Sequence, residues 1–181
     1  MKPVIGITMG DAAGVGPEII VKALSLKEIY RICQPVVIGD AKTMEKAIQI
    51  AGVDLRVNSI SNLKDARFKH GIIDVLDLGN IDLDKLIMGR INAMAGKAAV
   101  EYVERAVKLA LDGDIDAIVT APISKEAINR AGYNYAGHTE LLAHLTNTKD
   151  YAMMLVKEPL RVVHVTTHLS LKEACKMIKK E

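Results

Sequence analysis

Short apolar runs alternate with longer amphipathic ones along almost the whole chain, and this alternation restricts the fold more than any other feature. A strand buried on both faces of a parallel sheet reads as a short apolar run, whereas a helix crossing back over the sheet carries an apolar stripe at a 3.6-residue period. Their alternation marks an α/β protein. Val4 to Met9 reads as the first strand, followed by a glycine loop and the helix-like PEIIVKALSL. PVVIGD (35–40) reads as the second strand and AKTMEKAIQIAG as its helix, with Gly52 where a C-terminal cap belongs. LRVNSI and GIIDVLDL suggest two more strands. The longest helix signal runs from about Ala93 to Leu111: Ala99, Val103, Ala106, Val107 and Ala110 share one face, and Glu101, Glu104, Arg105 and Lys108 lie off it. IDAIVTAP is a strand ending on Pro122, Ser124 is a candidate N-cap for SKEAINRAG, and a further helix is expected after Thr139. YAMMLV and LRVVHVTT read as strands and SLKEACKMIKKE as a last helix, inside which the chain stops.

A chain of 181 residues, half apolar and one quarter charged, can build one substantial core or two small lobes. A net charge of +2 gives no field to attract nucleic acid, and with no Trp and one Phe there is little on which bases could stack. No apolar run approaches the ~20 residues needed to cross a bilayer. Met1 and Lys2 lead straight into the strand-like PVIGITMG, without a leader pattern, and Cys33 and Cys175 match no metal or redox spacing. A cytoplasmic protein with both cysteines as thiols is expected.

Three motifs carry possible chemistry. GITMGDAAGVGPEII (6–20) has the strand–loop–helix layout that holds phosphates, yet Gly14-Val15-Gly16 lacks a third glycine three positions on and no Lys-Ser/Thr follows. Spacing alone favours a tight structural turn; Asp11, at the carboxyl end of the first strand, is its most suggestive residue. NYAGHTELLA (134–143) sets His138 and Thr139 just before a helix, where they could bind an anion or serve merely as a loop histidine and a Thr N-cap. VVHVTTHLS (162–170) places His164 and His168 four residues apart, but the β-branched surroundings favour an extended chain. Four residues of strand span roughly 13 Å, so at most one of the two can ligate a given metal. His164, His70 and His144 read as structural, and Lys97 as a solvated charge.

Taken together, GITMGDAAGVGPEIIVKAL, TAPISKEAI, YNYAGHTELLA, DYAMML and HVTTHLSL closely resemble the 4-hydroxythreonine-4-phosphate dehydrogenase family, along essentially the whole chain. GHTE with a later TTH is the specific part; Ala12 stands where the family usually has Pro. The resemblance implies an α/β fold of the isocitrate/isopropylmalate dehydrogenase type, of which residues 1–181 are the N-terminal portion of two domains, with no linker marking the internal boundary. It implies a homodimer with the active site at the interface, NAD as cofactor, and a divalent cation (Zn, Co, Mn or Mg) held by three histidines. His168 matches one metal ligand, and His138 and Thr139 match substrate contacts; the family's other ligands lie further along than Glu181.

The implied reaction oxidises a phosphorylated four-carbon 3-hydroxy acid, with loss of carbon dioxide. The substrate would be 4-phosphohydroxy-L-threonine or D-threonate/D-erythronate 4-phosphate, and YNYAGHTELLAHL and DYAMML lean towards the second. Two other classes stay open: a phosphate-ester or acyl-phosphate enzyme without a redox cofactor, and a non-catalytic phosphate-binding fragment. On its own the chain is expected to turn over weakly or not at all.

Overall fold

A computed structural model of the chain describes residues 2–166 and 169–178. It contains two compact units, Met1–Thr146 and Asn147–Glu181. The boundary coincides with no glycine- or proline-rich linker; it falls between Thr146, the C-cap of a helix, and Asn147, whose φ is positive.

The first unit is built on a five-stranded sheet in the order β3-β4-β2-β1-β5. Its strands are β1 (Val4–Thr8), β2 (Gln34–Gly39), β3 (Arg56–Ile60), β4 (Ile72–Asp77) and β5 (Ala117–Thr120). All pairings are parallel; Ile7, for example, sits opposite Val37 on one side and Val119 on the other. Central strands of such a sheet are covered on both faces, which is why Val36, Val37 and Ile38 of β2 are completely enclosed. Each such side chain contributes about 1.5–3 kcal/mol by leaving water.

The helices are α1 (Gly16–Leu24), α2 (Lys27–Ile32), α3 (Ala41–Ala51), α4 (Ala93–Leu111), α5 (Lys125–Arg130) and α6 (His138–Leu145). The path from β1 runs towards β2, while the path from β4 crosses back over β1 to reach β5. Right-handed crossovers in opposite directions place the intervening helices on opposite faces of the sheet. The point of reversal lies between β1 and β5. Two hydrophobic clusters result, a large one around Met9, Ile38, Met44, Ile73 and Tyr102, and a smaller one in which Leu141 of α6 packs with Val100, Val103, Val107 and Ile128.

Local chemistry explains most of the element ends. Asn92 accepts the backbone N–H groups of Met94 and Ala95 and so starts α4, and Ser124 accepts that of Ala127 to start α5, as its spacing suggested. Gly52 ends α3 in the left-handed conformation at φ 64°. Two expectations need correction. The apolar stretch after residue 16 continues through a second helix, α2, which opens on Leu26 without any side-chain cap. Thr139 is not an N-cap: α6 starts one residue earlier at His138, behind an extended Gly137, and Glu140 turns back to accept the N–H of Ala136 at 2.8 Å.

The second unit holds an antiparallel hairpin, β6 (Met154–Lys157) and β7 (Leu160–Val163), and the helix α7 (Leu171–Met177). Every residue of the hairpin is exposed, Met154, Leu155, Val156 and Leu160 by more than half. Ser170 and Glu173 form a capping box at the start of α7.

Candidate active site

At the carboxyl edge of the sheet, three adjacent strands end near an aspartate: β4 in Asp77, β2 just before Asp40, and β1 shortly before Asp11. The first two are occupied by the fold. Asp40 accepts from the backbone N–H and the hydroxyl of Thr43, both at 2.8 Å, and from the N–H of Ile81 at 3.4 Å. Asp77 accepts from the N–H groups of Ala41 and Gly79 and from the Ser59 hydroxyl. Each ties a strand end to the following loop and stops there.

Asp11 organises the glycine loop. Its Oδ1 accepts the N–H of Ala13 at 2.9 Å, its carbonyl accepts that of Gly14 at 3.0 Å, and its own N–H reaches Pro122 O at 2.9 Å across the point where the crossovers reverse. The glycines are there for packing. A Cβ on Gly10 would strike Pro122 O, at a φ of 72° that already disfavours a side chain, and one on Gly16 would strike Met9 O. With two amides engaged by Asp11 and a carboxylate inside the turn, the loop is unsuited to a pyrophosphate, in agreement with a structural turn. Burial pushes the Asp11 carboxyl above the usual range, opposed by its bond to Ala13.

His138 and Thr139 form the first turn of α6, held down by the buried Leu141 two residues on. The first backbone N–H groups of a helix have no intrahelical acceptor and carry the positive end of its dipole. Thr139 is exposed. His138 is half-buried, and its Nε2 is enclosed with no hydrogen-bond partner among the described residues. Desolvation lowers its pKa, so at neutral pH it is an uncharged imidazole with one nitrogen to donate and one to accept. His144, on the same helix, is engaged differently: its ring lies 5.8 Å from that of Tyr135.

His168 lies outside the described residues, and the exposed His164 directly follows β7. Among the described residues no three His, Cys, Asp or Glu side chains converge as a metal site. Neither Asp40 nor Asp77 stood out in the sequence; an aspartate right after an apolar run and before a helix is the signal that could have found the first.

A parallel sheet whose crossovers reverse beside its first strand defines a doubly wound α/β protein, a class that places ligands at the carboxyl edge. Residues 31–181 match the PdxA family, described as pyridoxal phosphate biosynthetic protein PdxA, and the chain belongs to that family. A D-threonate 4-phosphate dehydrogenase from Cupriavidus necator is 50% identical over 176 residues, covering 97% of this chain and 53% of the relative. The crystal structure of a 4-hydroxythreonine-4-phosphate dehydrogenase from Burkholderia phymatum superposes with a TM-score of 0.92 at 52% identity, over 97% of this chain and 53% of that one. A terephthalate 1,2-cis-dihydrodiol dehydrogenase from Burkholderia xenovorans is more distant, at TM-score 0.70 and 27% identity over 99% of this chain and 53% of that one. The chain thus spans about half the length of the relatives it matches. Among the described residues no helix is long and apolar enough to cross a membrane.

Proposed function

We infer that the chain forms the N-terminal portion of a cytoplasmic, homodimeric, NAD-linked dehydrogenase that oxidises and decarboxylates a phosphorylated four-carbon 3-hydroxy acid. D-Threonate or D-erythronate 4-phosphate is favoured over 4-phosphohydroxy-L-threonine. The observation that carries this reading is the first turn of α6, a helix start without a side-chain cap, where the exposed Thr139 stands beside His138, whose Nε2 has no partner among the described residues, in a PdxA-family fold.

In this reading α6 binds and orients the substrate. Its N-terminal amides and the Thr139 hydroxyl suit an anionic group, and the neutral His138 can give or take one hydrogen bond without adding charge. Holding the substrate rigidly against its reaction partner accelerates by orientation alone. His168 would contribute one imidazole to a divalent cation. The remaining ligands would have to come from outside the described residues, since no cluster of donors exists within them.

Isothermal titration of the chain with D-threonate 4-phosphate, and with unphosphorylated D-threonate, tests the binding step. A saturable signal only for the phosphate ester, weakened at least tenfold by Thr139→Val, is expected. Equal affinity for both compounds, or none for either, contradicts it. Adding a divalent cation to the same sample tests the redox-free alternative: release of inorganic phosphate from the ester without NAD favours a phosphate-ester enzyme.

A further inference from the structure

Asp11 is the one strand-end carboxylate of the three whose capacity the fold leaves largely unused. Asp40 and Asp77 each accept three hydrogen bonds, from Thr43 (twice) and Ile81, and from Ala41, Gly79 and Ser59. The Asp11 side chain accepts one, through Oδ1 from Ala13, although only 9% of the residue is exposed. A carboxylate offers about four lone-pair positions. Oδ2 of Asp11 is not among the enclosed atoms left without a partner, so it reaches solvent and is available to a ligand. Thr8, the last residue of β1, is fully enclosed and its hydroxyl has no partner among the described residues, a deficit folded proteins rarely leave. Both lie at the carboxyl end of β1, next to the reversal of crossovers, where open α/β sheets receive ligands.

The chemistry of the missing partner is restricted. A phosphate is repelled by the carboxylate, and the loop amides of Ala13 and Gly14 that might offset this are already taken. A metal ion lacks companions, since no three donors converge among the described residues. A neutral hydrogen-bond donor fits, and burial, which raises the Asp11 pKa, does not remove its ability to accept one. Resting on the dehydrogenase reading above, we propose that Asp11 is a ligand-contacting residue whose Oδ2 accepts a hydrogen bond from an alcohol hydroxyl. The hydroxyl belongs to the hydroxy-acid substrate or to the ribose of the nicotinamide cofactor.

The two sources are separated by one experiment on the chain itself. With aspartate labelled by 13C at the carboxyl carbon, NAD and D-threonate 4-phosphate are titrated separately, and the Asp11 signal is followed beside the amide signals of His138 and Thr139. A saturable shift of Asp11 with one ligand supports the proposal and names the source. Asp11→Asn keeps the volume and an acceptor for Ala13, so an intact spectrum is expected, with affinity for that ligand roughly tenfold weaker. Asp11→Ala is the less conservative control. If His138 and Thr139 respond to the phosphate ester while Asp11 responds to neither ligand, this inference is overturned and the dehydrogenase reading stands. If neither region responds, both are overturned. An Asp11→Asn chain that binds as tightly as the parent also overturns it, leaving Asp11 as a loop residue only.

Discussion

Tyr102, in the middle of α4, donates its hydroxyl to Oδ1 of Asn80 at 2.7 Å, and Asn80 in turn donates to Glu101 at 2.6 Å. The loop after β4 is therefore fastened to the helix that leads to β5 by a side-chain relay beneath a fully enclosed ring. Tyr102→Phe keeps the ring but strands the Asn80 acceptor. A loss of about 1–2 kcal/mol in unfolding free energy is expected, since the orphaned group bears its desolvation cost. Urea denaturation with an unchanged midpoint would show that the relay is ornamental.

Gly96 lies where α4 crosses α5, with the backbone of Ala127 in the space a Cβ would occupy. Alanine should favour the helix by about 1 kcal/mol. Overpacking against backbone, which cannot move aside like a flexible side chain, costs typically 1–3 kcal/mol. The second effect wins, so Gly96→Ala is expected to lower the thermal midpoint. A rise would mean that α5 slides freely on α4.

Tyr30 is buried with its hydroxyl on Ile72 O at 3.0 Å, and burial, reinforced by Asp74 and Cys33, pushes its pKa from 10.0 to about 12. Its folded pKa exceeds the unfolded one, so between these values the folded state binds more protons and stability falls as pH rises. The contribution is complete below pH 10.0 and lost by about 12. Denaturation midpoints measured across that window should decline less steeply in Tyr30→Phe than in the parent chain.

His138 gives the opposite sign. Its pKa is held below 6.5 by desolvation, so the folded state prefers the neutral ring. That preference stabilises the fold above the unfolded pKa and is lost as pH falls through the folded one. Titration of the ring by NMR should show a midpoint below 6.5, and His138→Gln should flatten the acid limb of the stability profile.

How far the sequence could be read depended on how local the determinants were. α4 was legible because its five-member apolar stripe acts within the element, whereas the Asn92 cap emerged only from the structure. Ser124 and Gly52 were legible for the same reason. α2 was not, being a six-residue helix with no capping side chain, held by contact with β2 and α1. Thr139 misled because a hydroxyl before an apolar run looks like a cap, whereas the extended Gly137 lets the helix start earlier. The strand order of the parallel sheet depends on long-range contacts that no local pattern encodes. The roles of Asp40 and Asp77 were hidden likewise, since their partners lie up to 41 residues away. For the candidate site, the motif pointed to His138 and Thr139, but only the fold shows Nε2 enclosed without a partner among the described residues.

The most direct test of the central claim joins residues 1–181 to the part of the Cupriavidus necator relative that the chain does not cover and follows nicotinamide absorbance with NAD, a divalent cation and D-threonate 4-phosphate. The account predicts NAD reduction that Thr139→Val slows by at least tenfold and His168→Ala abolishes together with metal content. A folded chimera whose His168→Ala form keeps full activity and metal, or one that leaves NAD oxidised with either phosphorylated acid, would contradict it.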